Sequence, residues 1–389
     1  MQYNFDEIIP RENTACVKYD LRKSYFGHDD LIPMWVADMD FKAPDCISQA
    51  IINRAGHGIF GYSIRSDSFY EAIINWMKIQ HSWEIHKEWI VFSPGVVPAL
   101  NFIVLALTQP GDKIIVQSPV YFPFFGAVKD HGRILMDNHL ITENNRMLMD
   151  FADLEEKMKE GARMLILCSP QNPGGRVWTR EELQRLGKLC LDYGVLILSD
   201  EIHSDLVFAP NVHTPMASIS EQLLEITVTV NAPSKTFNTA GLSSSYLIVK
   251  NEELRKKINQ VMDSLHITMG NIFGTIALEA AYNHGKPWLE ELLVYLKGNL
   301  DFTSDYFEKH IPQIKMMMPE ATYLVWLDCR GMGMSDDELK TFFIEKAGVG
   351  LNPGIQFGAP GSGFMRLNIA CPKSILEKAL NQIRQALNS

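Results

Sequence analysis

Five times along its middle the chain repeats one pattern: four or five mostly apolar residues, a break of small polar residues, Pro or Gly, then a helical or polar stretch. The apolar runs lie at 89–92, 113–116, 164–167, 195–198 and 226–230. Runs without polar alternation belong to strands that are covered on both faces. The stretches between them supply the covers, among them 96–107 and a helix to Tyr193 opened by the capping box Thr179-x-x-Glu182. The pattern predicts an α/β fold on a mainly parallel sheet flanked by helices. Such a sheet collects its ligand at the carboxyl ends of its strands.

The flanking segments read differently. Residues 1–44 form an N-terminal arm and loop that carries Trp35-Val36-Ala37-Asp38-Met39-Asp40-Phe41, apolar yet rich in carboxylates. Pro44 opens a helix that runs to Gly56, Gly58-Ile59-Phe60-Gly61-Tyr62 breaks the chain, and a second amphipathic helix follows at 69–81. Residues 45–285 read as the large domain. Residues 286–389 read as a smaller α+β C-terminal domain, joined by the arm, with strands at 321–327 and 363–369, a helix capped by Ser335-x-x-Glu338 and a last helix from Lys373.

Charge and cysteine usage narrow the function. With 36 basic against 46 acidic side chains the net charge is −10, so binding of nucleic acid has no electrostatic support. No apolar run reaches the ~18 residues of a membrane span. The first residues lack a basic segment followed by an apolar one, so a cytoplasmic protein is expected. Cys16, Cys46, Cys168, Cys190, Cys329 and Cys371 contain no Cys-x-x-Cys pair, which favours reduced thiols over disulfides or zinc. His81 and His86 are five apart and His310 stands alone, so no metal is expected.

The strand ends carry the chemistry. Run 226–230 ends in Asn231-Ala232-Pro233-Ser234-Lys235. Alone, Lys235 is either a solvated loop charge or an amine made nucleophilic by burial for a Schiff base. Alone, Asp200 is either a helix cap or a costly buried acid, and Asn172 in Asn172-Pro173-Gly174-Gly175 is ordinary turn chemistry. Together they place an amide, a carboxylate and an amine at the ends of three successive strands, 28 and 35 residues apart. That triple is what pyridoxal 5′-phosphate requires: a donor to its phenolate oxygen, an acid for its ring nitrogen and an amine for its aldehyde.

Five motifs extend the match: Trp35 to Phe41; Asp200-Glu201-Ile202-His203; Pro233-Ser234-Lys235-Thr236-Phe237-Asn238; Gly350-Leu351-Asn352-Pro353-Gly354; and Phe364-Met365-Arg366-Leu367-Asn368. On these residues nearly the whole chain resembles the fold-type I (aspartate aminotransferase-like) pyridoxal-phosphate enzymes. Among them it is similar to the cystathionine β-lyase or C–S lyase branch, the MalY/PatB group. The resemblance implies a catalytic Lys235 that bonds the cofactor and then serves as base at the substrate Cα. It implies Asp200 at the ring nitrogen, Asn172 and His203 by the phenolate oxygen and Tyr121 stacked on the ring. Gly95, Val96, Val97 and Ser234 would hold the phosphate, and Tyr62 would reach the neighbouring subunit's cofactor in a homodimer with shared sites. Arg366 would clamp the substrate carboxylate beside Asn172, Ala37, Trp35 and Tyr62. From the residues alone, Tyr121 reads equally as core, Tyr62 as a buried turn tyrosine and Arg366 as a strand-flanking surface charge.

Two departures stand out. Ala232 replaces the serine that many relatives carry three residues before the lysine, and 236–249 contains no cation where they place a phosphate-binding arginine. The phosphate is then left to the helix terminus, Ser234 and Tyr62. The implied reaction is α,β-elimination of L-cystathionine or a related S-substituted cysteine to a thiol (homocysteine), pyruvate and ammonia, within methionine biosynthesis. Transamination with a 2-oxo acid, and a regulatory binding role on the same scaffold, are the alternatives.

Overall fold

A computed structural model describes residues 2–388; Met1 and Ser389, the outer limits of the division given above, lie outside the described residues. The central sheet contains β1 (Ile90–Ser93), β2 (Lys113–Val116), β3 (Ile134–Asp137), β4 (Ala162–Cys168), β5 (Leu196–Asp200), β6 (Thr227–Asn231) and β7 (Ser245–Ile248). Its seven strands run in the order β1-β7-β6-β5-β4-β2-β3. β7 is antiparallel to both β1 and β6, while the remaining pairs are parallel. Six strands therefore share one direction and β7 alone is reversed.

Alternate residues of the parallel strands enter separate cores, which is why the runs look continuously apolar. In β4, Met164, Ile166 and Cys168 pack with Leu100, Ile103 and Val104 of the helix Val96–Leu107. Leu165 and Leu167 face the other way, onto Leu183, Leu186 and Cys190 of the helix Arg180–Tyr193, whose capping box is formed by Thr179 and Glu182. Both faces of these strands are thus covered, and the ligand edge of the sheet lies at their carboxyl ends.

A second sheet, antiparallel, holds β8 (Lys315–Met317), β9 (Leu324–Asp328), β10 (Asn352–Pro353) and β11 (Phe364–Asn368) in the order β8-β9-β11-β10. The N-terminal arm is sewn to it. Asn368 N donates to Met34 O, and its side-chain amide donates to Val36 O and Asp38 O. Arg11 and Lys18 bond Asp40, and Arg11 also bonds Asp38, so the carboxylates of this loop are neutralised from the arm itself. Asn238, just after Lys235, accepts from Met39 N and donates to Met39 O and Phe41 O, tying the same loop to the large sheet.

Two strands of the central sheet escape the sequence pattern. β3 carries the short apolar run Ile134-Leu135-Met136 and is partly exposed at one edge, and β7 carries Ser245 ahead of Tyr246-Leu247-Ile248; the sequence reading counted neither among its five runs. The six cysteines are free thiols. Among the described residues no helix is long and apolar enough to cross a membrane.

Candidate active site

A cavity of about 200 Å³ lies at the carboxyl edge of the parallel strands. Each wall comes from a strand end: Gly95, Val96 and Val97 after β1, Tyr121 after β2, Asn172 after β4, Asp200 and His203 at β5, and Ser234 and Lys235 after β6. In the ladders Cys168 sits level with Asp200, and Asp200 with Val230, so the three polar ends are brought side by side. Ala37 of the N-terminal loop closes the space. Of the residues expected from the sequence, these ten line one cavity.

The lysine is held and tuned by what surrounds it. One helical turn, Pro233–Thr236, follows β6 and projects Lys235 toward the loop, where its Nζ donates to Ala37 O at 2.7 Å. The Tyr323 hydroxyl donates to the same carbonyl at 2.9 Å. Burial, with a smaller contribution from the Arg366 cation, lowers the Lys235 pKa to about 8. Asp200 moves the opposite way, up to about 7, because burial disfavours its charge; Ile202 N gives it one hydrogen bond, at 3.1 Å. His203 is held neutral, its pKa driven down to about 3 by burial and by the Lys235 and Arg366 cations.

Arg366, on β11, reaches in from the second sheet. Its Nη1 donates to Asn172 Oδ1 at 3.1 Å, and its Nη2 donates to Trp35 O at 2.9 Å and Asn352 Oδ1 at 2.8 Å. It is only 3% exposed and faces no carboxylate, so burial lowers its pKa to about 10. A buried guanidinium without an anion is costly and is poised for an incoming carboxylate. Trp35 meets this centre through its carbonyl. Its indole donates to Lys18 O and packs against Tyr25 and Phe26. Tyr62 lies outside the cavity, 97% exposed.

The residues fit a pyridoxal-phosphate-like group. Among the described residues, three buried polar atoms in or beside the cavity have no hydrogen-bond partner: Ser244 Oγ, His203 Nδ1 and Arg366 Nε. Asp200, buried at the cavity floor, has no cation bonded to it among the described residues, which a protonated ring nitrogen would supply. At the other end the helix Val96–Leu107 begins at Gly95 with its first N–H groups free of side-chain caps, a ready anion site. Ser243 and Ser244, which the sequence reading did not single out, line this end beside Ser234. They belong to the edge because β7 is reversed: it starts where the other strands stop. Tyr323 was also missed, since nothing local marks a tyrosine 286 residues from the carbonyl it bonds.

The comparisons with known proteins agree with this geometry. The family model described as "Aminotransferase class I and II" matches residues 29–383. Cystathionine beta-lyase PatB of Bacillus subtilis is 44% identical over 386 residues, covering 99% of this chain and 100% of that protein. Protein MalY of Escherichia coli is 33% identical, covering 100% of this chain and 99% of that protein. Cystalysin from Treponema denticola, whose crystal structure contains a pyridoxal 5′-phosphate cofactor, superimposes with a TM-score of 0.97 at 35% identity, covering 100% and 99% of the two chains.

Proposed function

Because this chain belongs to the class I and II aminotransferase family, we propose that it is a pyridoxal 5′-phosphate-dependent carbon–sulfur lyase that cleaves L-cystathionine, or a related S-substituted cysteine, to a thiol, pyruvate and ammonia. The observation that carries the reading is the meeting of Lys235, Asp200 and Asn172 at three adjacent strand ends under a buried, anion-free Arg366. The names of PatB and its kin direct it to thioethers rather than to amino-group transfer.

The bound cofactor would supply an electron sink for charge developing at the substrate Cα. Lys235 would hold it by its aldehyde, Asp200 by the ring nitrogen, Asn172 and His203 at the phenolate oxygen, and Tyr121 across the ring face. Gly95, Val96, Val97, Ser234, Ser243 and Ser244 would take the phosphate. Arg366 clamps the substrate carboxylate and fixes Cα near the Lys235 amine. With a pKa of about 8 roughly a tenth of that amine is neutral at pH 7, against roughly one part in 2,500 for an ordinary lysine. Lys235 takes the Cα proton, the thiolate leaves Cβ, and the released enamine hydrolyses to pyruvate and ammonia. Incubation with L-cystathionine alone should yield thiol and pyruvate in equal amounts. Turnover that appears only when a 2-oxo acid is added would replace this reading with transamination.

The protein works as a homodimer with shared sites, in the cytoplasm and in methionine biosynthesis, without nucleic-acid or membrane partners. The segment Ile59, Phe60, Tyr62 and Ile64 supports the dimer: these apolar side chains are 59–97% exposed in the single chain, more than a monomer leaves open by chance. Sedimentation equilibrium should give twice the 44.1 kDa chain mass, and a monomer would remove Tyr62 from the site. The division into arm 1–44, large domain 45–285 and small domain 286–389 is proposed with it, supported by the separation of the seven-stranded from the four-stranded sheet.

A further inference from the structure

Two buried carboxylates are joined to the cavity wall through single residues. Glu201 follows Asp200 in the chain, and Thr236, which follows Lys235, donates from Oγ1 to Asp205 Oδ2 at 2.7 Å. The helix Asp67–His81 supplies the other partners of Asp205: Trp76 Nε1 donates to it at 3.2 Å, and His81 Nε2 bonds its Oδ1 at 2.8 Å. Asp205 is 2% exposed and, among the described residues, no Lys or Arg pairs with it. Glu201 has a similar set: His213 Nε2 at 3.0 Å, Ser199 Oγ at 2.9 Å and Met216 N at 3.0 Å. None of these side chains lines the cavity.

The two carboxylates differ in what they hold. The Glu201 set ties β5 to the segment around Met216 and leaves the stretch that carries Lys235 alone. Asp205 grips that stretch. Lys235 stands on Pro233–Thr236, a single helical turn preceded by Ala232, which gives it no side-chain cap. The backbone bond that closes it, from Phe237 N to Pro233 O at 2.8 Å, is weak support, since a first helical turn immobilises several residues for little hydrogen bonding. Successive side chains on a helix are about 100° apart, so the side on which Thr236 is anchored sets the side from which Lys235 projects. Buried charged pairs add little stability over apolar packing. What Asp205 adds here is direction, through a charge-assisted hydrogen bond.

We propose that Asp205 is a positioning residue for Lys235: held by Trp76 and His81, it anchors the Thr236 hydroxyl and so aims the lysine amine into the cavity. The inference rests on the reading of Lys235 as the amine that bonds the cofactor aldehyde.

The test follows Lys235 itself. Cofactor-free protein is mixed with pyridoxal 5′-phosphate, quenched with borohydride at timed intervals, and the covalent adduct at Lys235 is measured by peptide mass. Its rate of formation should fall about tenfold in Thr236→Val, which keeps the volume and loses the hydroxyl, and stay within twofold of wild type in Thr236→Ser. The kcat for L-cystathionine should fall by the same factor with KM within twofold, because Arg366 and not this turn holds the substrate carboxylate. His213→Gln breaks a pair as buried as His81 and Asp205 but unconnected to the turn. It should lower the melting temperature and leave the adduct rate within twofold. An adduct rate within twofold of wild type in folded Thr236→Val, or a loss in Thr236→Ser as large as in Thr236→Val, overturns the proposal. If Thr236→Val does not fold, Asp205→Asn decides by the same measure, with the same tenfold fall expected. If the wild type leaves L-cystathionine uncleaved, the lyase reading fails, while the adduct rates still decide the role of Asp205.

Discussion

Lys235→Ala protein supplied with pyridoxal 5′-phosphate is expected to keep no cofactor through borohydride reduction and denaturation, and its kcat/KM for L-cystathionine should fall by at least ~10³-fold. The expectation comes from the contrast between two lysines. Lys18 is 1% exposed, but its ammonium is committed to Asp40 at 2.8 Å. Lys235 lines the cavity, bonds only a backbone carbonyl and has its pKa lowered to about 8, so it alone of the two is available as a nucleophile and base. A general base contributes ~10² to 10⁴ in rate, and here the same amine also secures the cofactor. Loss of activity through misfolding is not expected. The fold disfavours a cation at this position, so removing it leaves thermal stability equal or higher. A variant with a covalent adduct on another lysine, or with activity within tenfold of wild type, would sink the assignment.

Asp200→Asn should lower kcat/KM by about 10² to 10³-fold at unchanged fold, because an amide cannot hold a proton on the ring nitrogen. It also has a signature independent of activity. Burial raises the Asp200 pKa to about 7, so in cofactor-free protein the folded state binds a proton that the unfolded state has released. An acid with a raised folded pKa makes stability fall as pH rises, here across the window from about 4 to about 7, and by on the order of 4 kcal/mol once fully ionised. Asparagine carries no such penalty. Cofactor-free Asp200→Asn should therefore melt at a higher temperature than wild type at pH 8, with the gap closing towards pH 4. Adding cofactor should narrow the gap, since a ring cation would then offset the charge. A melting difference that does not change with pH would show that Asp200 is not ionising in an apolar floor.

Much of this was legible in the sequence because it is local. Apolar runs of the length of a strand, the capping boxes at Thr179 and Ser335 and the amphipathic last helix depend on residues only a few places apart, and the structure places elements at each. The triple Asn172, Asp200 and Lys235 was readable for a related reason. In a parallel sheet every strand delivers its last residues to one edge, so residues 28 and 35 apart in the chain become neighbours by topology alone.

What the sequence by itself determined is therefore the layered α/β plan and which polar ends could meet. The tertiary structure alone decided how they are tuned. The reversed β7 brings Ser243 and Ser244 to the cavity edge; the arm presents Ala37 O to Lys235 across 198 residues; Arg366 arrives from another sheet with no counter-charge among the described residues. Each depends on contacts between distant segments and on the water they exclude, and burial of this kind, which sets the pKa values of Lys235 and Asp200, leaves no mark on neighbouring residues in the chain.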